Sequence, residues 1–420
     1  MSEGDSTAAG LFRALATRGF AYVDRGVGGW YVFEGSLVSG EETFPVRLEV
    51  DPAGKDLPLI HLTPVPEALR PVAPHVSGNG SLCYAAAGTL TLDVFDLVGQ
   101  VLACVERAEE ILGQILRGEM TKDLEEEFFA CWPQDAICLL DFEEQSHQPL
   151  SALVLGSEND IRPVTAVTND TTRSKKKLAS CGFVVDTTRR VAVRHIRTGA
   201  APRALQDRWP PRTVADVLRW QSALDPRARR KLERAIHAEA KTNANGLICV
   251  IESPKFIYAF GVAYDRASEA TTARAPSPLE VAYRSQVIPM YCLRIDDAYI
   301  AGRNTPGRIT LAGKRIFLIG CGTIGGYLAE QLVKAGAGTS GGELWLVDSD
   351  VLWPQNVGRH RLGLNWILRD KADALAQELA RSDASIRLHP LTVDALEVDL
   401  SSAIYASSMR KQYIGITWLR

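Results

Sequence analysis

The chain has 420 residues, 46% hydrophobic and 23% charged, with a formal net charge of −3. That length calls for two or three domains of an ordinary globular protein, and the charge gives no sign of nucleic-acid binding. No apolar run reaches the roughly eighteen residues of a membrane span, and the acidic start Met1-Ser2-Glu3-Gly4-Asp5 is no secretory signal, so a cytoplasmic location is expected.

In chain order, residues 10–18 predict an amphipathic helix, followed by strands at 30–38, 44–50 and 58–62. A proline-rich loop over 64–74 leads into His75-Val-Ser-Gly-Asn79-Gly-Ser-Leu-Cys83. Val94, Leu97, Val98, Val101, Val105, Ala108, Leu112 and Ile115 keep helical spacing and predict a helix over 93–117 with Asp93 as N-cap. A further helix is expected over 124–132. Strands are expected at 152–155, 191–195, 247–252 and 287–294. Residues 171–177 read as an exposed basic loop, 213–240 as a solvated helical pair and 265–278 as a long loop. This middle stretch offers no catalytic constellation and reads as a linker or scaffold.

From residue 315 the pattern is strand (315–319), glycine turn (Gly320-Cys321-Gly322-Thr323-Ile324-Gly325), a helix to about 334 with Ile324, Leu328 and Leu332 on one stripe, and strand (343–347). That is a Rossmann-type unit. Glycines permit the tight bend and let backbone N–H groups approach an anion at the helix N-terminus. Asp348, at the end of the second strand, suits a ribose hydroxyl. Asp350 reads either as a site residue or as a turn cap. Asn356, Arg359 and Lys371 follow. Hydride transfer needs no cation pair there, whereas nucleotidyl transfer must neutralise a triphosphate and its departing pyrophosphate.

These motifs resemble the ThiF/MoeB and ubiquitin-activating superfamily, whose pattern is G-x-G-x-x-G, D-x-D, N-x-x-R-Q and a lysine. Here they read Gly320, Gly322 and Gly325, then Asp348 and Asp350, then Asn356 and Arg359, then Lys371, with His360 in place of the glutamine. The resemblance implies ATP with Mg2+, Asp348 on the ribose, and Asn356, Arg359 and Lys371 near the phosphates. It also implies a homodimer in which an arginine enters the partner's site, with Arg303 as the candidate.

The eight cysteines are Cys83, Cys104, Cys131, Cys138, Cys181, Cys249, Cys292 and Cys321. They form no Cys-x-x-Cys pair, which argues against structural zinc, so no metal ligands are assigned. Each reads as a small buried hydrophobe except Cys83. The order helix, strands, proline-rich loop, His75, Cys83, long helix resembles a ubiquitin-conjugating enzyme. The usual His-Pro-Asn is only partly present, as His75 and Asn79. Cys83 would carry a thioester at an ordinary thiol pKa of about 8.5. Gly78, Gly80 and Ser81 would leave room for an extended tail, and Asn79 would stabilise the oxyanion.

Together the halves resemble the bacterial fusion proteins of CBASS antiphage operons, which modify a cGAS-like nucleotidyltransferase. The expected fold class is a multidomain α/β and α+β chain: a conjugating-like domain (1–150), a mixed linker domain (151–300) and a partial ThiF-type adenylation domain (301–420). The resemblance implies two protein partners, one whose C-terminus is activated and one bearing the target lysine, in antiviral defence. A strand is expected at 386–391, with Asp394 either touching adenine or starting a turn. The stretch after Leu400 reads as neither the family's next strand nor its magnesium aspartate, and no activating cysteine follows Cys321. A truncated or frame-shifted product with an exposed sheet edge and little or no adenylation activity is therefore expected. A sulfur-carrier-activating enzyme, a nicotinamide oxidoreductase and a non-catalytic ubiquitin-fold-binding module stay open as alternatives.

Overall fold

A computed structural model describes residues 3–85, 92–93, 95–142, 148–156, 162–189, 191–205, 209–242, 246–263, 277–304, 306–398 and 413–417. Two compact units emerge: Met1–Pro133 with Thr198–Arg230 and Ser253–Phe256, and Gln134–Arg197 with Lys231–Glu252 and Ile257–Arg420. Among the described residues no helix is long and apolar enough to cross a membrane.

In the first unit, α1 (Glu3–Thr17) precedes an antiparallel sheet of β1 (Ala21–Arg25), β2 (Tyr31–Ser39), β3 (Glu42–Val50) and β4 (Leu59–Leu62), in that order. Strand β3 alternates, burying Phe44, Val46, Leu48 and Val50. That face forms one core with Leu11 and Leu15 of α1 and with Val101, Val105, Ala108 and Leu112 of α2 (Leu97–Leu116). Strand β1 was not anticipated, because all five of its residues are exposed and leave no apolar alternation. The N-cap of α2 is Asp96, not Asp93: Asp96 Oδ1 accepts the Gly99 N–H at 2.8 Å, while Asp93 takes the Phe95 N–H. Val94 lies outside the described residues. The helix expected over 124–132 breaks into a 3-10 turn, Thr121–Glu125, and the short α3 (Phe128–Cys131). Phe128 and Trp132 stack with Trp220, and the Trp209 indole donates to the Cys131 carbonyl at 2.8 Å.

The second unit holds two sheets. One has eight strands: β5 (Ala136–Asp141), β6 (Ser151–Gly156), β7 (Val164–Thr168), β8 (Val184–Asp186), β9 (Val191–Arg197), β10 (Gly246–Glu252), β11 (Ile257–Ala263) and β12 (Val287–Arg294), in the order β8-β6-β7-β5-β12-β11-β10-β9. The basic segment expected as an exposed loop is instead helix α4 (Thr171–Ser180). Asp170 caps it by accepting the Thr172 and Arg173 N–H groups. Lys177 is buried; its Nζ donates to Asp141 Oδ1 at 3.1 Å, Asp297 Oδ1 at 2.6 Å and the Ile295 carbonyl at 3.0 Å. Burial alone would lower its pKa, but the two carboxylates outweigh it and hold the ammonium above its ordinary range. Lys177→Met is expected to cost about 3 kcal/mol, because Asp141 and Asp297 remain buried without their cation. Equilibrium denaturation checks this, and an unchanged midpoint contradicts it.

The expected helical pair forms as α5 (Val214–Leu224) and α6 (Pro226–Ala240), though α5 buries Val214, Val217, Leu218, Trp220 and Gln221 and is not wholly solvated. The long loop expected at 265–278 lies mostly outside the described residues; its end belongs to α7 (Pro278–Arg284).

After α8 (Asp297–Asn304) comes a parallel sheet of β13 (Arg315–Ile319), β14 (Glu343–Val347), β15 (Leu388–Leu391) and β16 (Tyr413–Thr417), ordered β15-β14-β13-β16, with helices α9 (Thr323–Lys334) and α10 (Lys371–Ala380). The buried face of α9 is Gly325, Gly326, Ala329 and Leu332, and Ile324 is exposed. The apolar stripe expected through Ile324 gives way because the glycines allow the closer approach. No strand was expected after Leu400, yet β16 pairs with β13 from Arg315↔Tyr413 to Ile319↔Thr417, so β13 is flanked on both sides. Its alternating Ile414-Gly415-Ile416-Thr417 suits a ladder position that only the fold supplies. Asp394 starts a turn, accepting the Leu396 N–H at 2.9 Å.

Candidate functional site

Strand β13 delivers Gly320 at φ +95°, a conformation open to glycine, and its N–H reaches the Val347 carbonyl at 2.8 Å. The Cys321 N–H donates to Asp348 Oδ2 at 2.7 Å. Gly322 caps α9 without any side-chain acceptor, the kind of helix N-terminus whose first-turn N–H groups can receive an anion. At Gly325 a Cβ would lie 1.8 Å from the Gly320 carbonyl oxygen, so only glycine fits. Asp348 Oδ1 accepts the Asp350 N–H at 2.9 Å, and Asp350 in turn pairs with the Lys371 ammonium. That bond, ahead of opposing burial, holds the Asp350 carboxyl below its usual range. Gly320, Gly322, Gly325, Asp348, Asp350 and Lys371 are thus one connected group.

Asn356 is tied locally, accepting the Trp353 N–H at 3.0 Å. Arg359 is exposed, one residue after an exposed glycine. Arg303 is exposed in the last turn of α8 and makes no hydrogen bond or ion pair with the glycine loop among the described residues. Cys321 is fully buried, and burial drives its thiol far above the ordinary range. His360, which stands in place of the motif's glutamine, is buried with Nε2 2.8 Å from the Cys321 carbonyl oxygen. Its position within the N-x-x-R-Q pattern was the only signal for it. Among the described residues no group of three or more His, Cys, Asp or Glu side chains is placed to hold a metal ion.

In the first unit the cysteine loop is stitched to β4: the Leu82 N–H reaches the Ile60 carbonyl at 2.8 Å and the Leu62 N–H the Gly80 carbonyl at 2.9 Å. His75 adopts φ +60°, a strained value for a residue with a Cβ, and its carbonyl accepts the Cys83 N–H at 2.7 Å. Two carboxylates hold this histidine. Asp123 Oδ2 lies 3.0 Å from Nε2; Glu127 takes the His75 N–H at 2.7 Å and stands 2.7 Å from Nδ1 without hydrogen-bond alignment. Asp123 and Glu127 sit at i and i+4 in an acidic run, a pattern that sequence reasoning passed over.

Cys83 is exposed on a groove of about 730 Å³ shared with His75, Leu57, Leu92, Ile111 and Glu127. Burial, and then the Glu127 charge, push its thiol above the ordinary value assumed from sequence. Asn79 does not line that groove. Its Oδ1 accepts from Ser77 Oγ and the Ser81 N–H, which fixes the amide orientation and leaves Nδ2 as the donor end.

The chain is 43% identical over 394 residues to an ATP-dependent ubiquitin transferase-like protein Cap2 of Pseudomonas aeruginosa, spanning 93% of this chain and 72% of that one. This chain belongs to the Cap2 family. The Escherichia coli protein of the same name is 28% identical over 404 residues, spanning 88% and 67% of the two chains. A ThiF family model matches residues 300–413, and a prokaryotic E2 family B model matches residues 36–137. Among solved structures, E. coli MccB with ATP aligns over 20% of this chain and 24% of that one, at 22% identity and a TM-score of 0.19. The Cap2-type architecture is therefore an E2-like domain followed by a ThiF domain, that of an adenylating, ubiquitin transferase-like enzyme.

Proposed function

We propose that this chain activates the C-terminal carboxylate of a partner protein with ATP and passes it through a thioester on Cys83 to a target lysine. The carboxylate oxygen attacks the α-phosphorus and pyrophosphate leaves; an activating cysteine thiolate then attacks the acyl adenylate and AMP departs, and the Cys83 thiolate takes the acyl group from that thioester, releasing the first thiol. Lysine amine then attacks the thioester carbonyl, the Cys83 thiol leaves, and an isopeptide remains. One observation carries this reading above the others: the glycine turn, Asp348, Asp350 and Lys371 are bonded together below an uncapped helix N-terminus. Phosphates would take the α9 N–H groups and Arg359, and would compete with Asp350 for Lys371, with Mg2+ arriving on the phosphates. Asp348 would meet the ribose. Asn79 Nδ2 would serve the oxyanion at Cys83, a donor role the orientation of its amide supports.

A cGAS-like nucleotidyltransferase is the proposed activated partner, on the strength of the operon resemblance. A homodimer is proposed as well, because Ile324, Tyr327, Trp353, Leu364 and Leu368 expose large apolar side chains in the adenylation domain. In that dimer Arg303 would reach the partner's site. Because a strand pairs with β13 where none was expected, the expectation of little or no adenylation is replaced here by an active site, and Arg359→Ala is expected to lower ATP–pyrophosphate exchange about a hundredfold in the presence of the partner protein, by removing charge stabilisation of the leaving pyrophosphate. Exchange at the wild-type rate in that variant would sink the assignment. NAD(H) binding in place of ATP would turn the reading to the oxidoreductase alternative.

A further inference from the structure

The peptide at the centre of the glycine turn is held from both sides. Cys321 donates its N–H to Asp348 Oδ2 at 2.7 Å, and its carbonyl faces His360 Nε2 at 2.8 Å. The other ring nitrogen, Nδ1, takes the Leu362 N–H at 3.1 Å. A main-chain N–H can only donate and a carbonyl can only accept, so these partners set the tautomer: Nδ1 is bare and Nε2 carries the proton. Gly320 and Gly322 flank Cys321 and have open space where a Cβ would stand, so their own sterics restrain the turn little. Main-chain bonds also draw Arg359 into the arrangement. Both Arg359 and His360 donate their N–H to the Asn356 carbonyl at 3.0 Å. Arg359 and His360 thus hang from the same main-chain carbonyl.

We propose that His360 is a positioning residue, which in its neutral Nε2–H form clamps Cys321 and holds the open N–H groups of α9 in the shape that receives a nucleotide phosphate. This rests on the nucleotide reading given above. A buried histidine that merely fills space would be replaceable by an apolar side chain with a change in stability alone. A clamp demands one donor and one acceptor at this point. The glutamine of the resembling N-x-x-R-Q pattern offers the same pair, which explains why His360 can stand there.

The clamp has a direction in pH. Burial, joined by the charges of Lys371 at the start of α10 and Arg359 on its own loop, favours the neutral ring; the bond to Cys321 and the Asp348 carboxylate after β14 oppose them. Helix α9 faces the ring with Gly326, which carries no titratable group. The net effect is a pKa below the ordinary value, so the ring is neutral near pH 7. As pH falls through that lowered pKa, a proton on Nδ1 would confront the Leu362 N–H. The clamped form binds fewer protons, so nucleotide affinity is lost on the acid side and is level above it.

The test is equilibrium binding of Mg–ATP to the full chain from about pH 5 to pH 8, with wild type, His360→Gln and His360→Leu. The wild type should weaken toward acid. His360→Gln should bind comparably near neutrality and lose that drop, and the ratio of the two cancels the titration of ATP itself. His360→Leu should bind about tenfold more weakly throughout. An identical pH profile in wild type and His360→Gln, or wild-type affinity in His360→Leu, overturns the clamp. If His360→Leu does not fold, the His360→Gln profile decides by itself. A wild type that binds no Mg–ATP at any pH overturns the nucleotide reading, and the clamp with it.

Discussion

Cys83→Ala is expected to abolish conjugation completely while leaving ATP–pyrophosphate exchange intact. Of the eight cysteines, only Cys83 and Cys181 are exposed among the described residues. Cys181 follows α4 at the end of a surface helix, whereas Cys83 opens onto a groove of about 730 Å³. The backbone that presents it is over-determined: left-handed His75 is held by Asp123 and Glu127 and accepts the Cys83 N–H. Such strain persists only where the surroundings enforce it. The raised thiol pKa suits a carrier that must not react indiscriminately, and it predicts that charging accelerates as pH rises toward that pKa. The measurement is a reductant-labile adduct between the chain and its partner, followed on a non-reducing gel with ATP present. A labile adduct of undiminished yield on Cys83→Ala would end the assignment. Cys83→Ser gives a second view, since an oxygen ester in its place survives reductant and yields to base.

Gly325→Ala is expected to destabilise the protein by about 4 kcal/mol and to eliminate Mg–ATP binding. The added Cβ would lie 1.8 Å from the oxygen and 2.8 Å from the carbon of the Gly320 carbonyl, both backbone atoms that no side-chain rotation can relieve. Relief requires α9 to lift from β13, which removes its first-turn N–H groups from the place where a phosphate would sit. Gly322→Ala is the matched control. Its φ is −71° and nothing lies within 4 Å of the added carbon, so it should cost within about 1 kcal/mol. Thermal melts of the two variants decide the matter, and equal melting temperatures would contradict the close approach.

The adenylation unit was legible because its signals are local. A turn that needs glycine, a helix starting directly after it, and two short apolar strands depend on neighbours within a few positions, so β13, α9 and β14 emerge at nearly their observed limits. Strand β2 is marked by its aromatic and β-branched residues, and β3 by these together with an alternation that fits a half-buried sheet. Strand β1 lacks that mark because all its residues are exposed. Helix α4 reads as a loop from sequence because the partners of Lys177, Asp141 and Asp297, lie 36 and 120 residues away, and a lysine-rich segment looks solvated until those carboxylates are placed. Strand β16 needed β13 to pair with. The candidate sites divide in the same way. Residue types and order alone marked out Cys83, His75, the three glycines, Asp348 and Lys371. Only the tertiary structure placed Glu127 and Asp123 around His75, turned Asp350 onto Lys371 and set His360 against Cys321. Each of these is a polar contact between chain segments far apart in sequence, and such contacts follow from the folded backbone, not from local propensity.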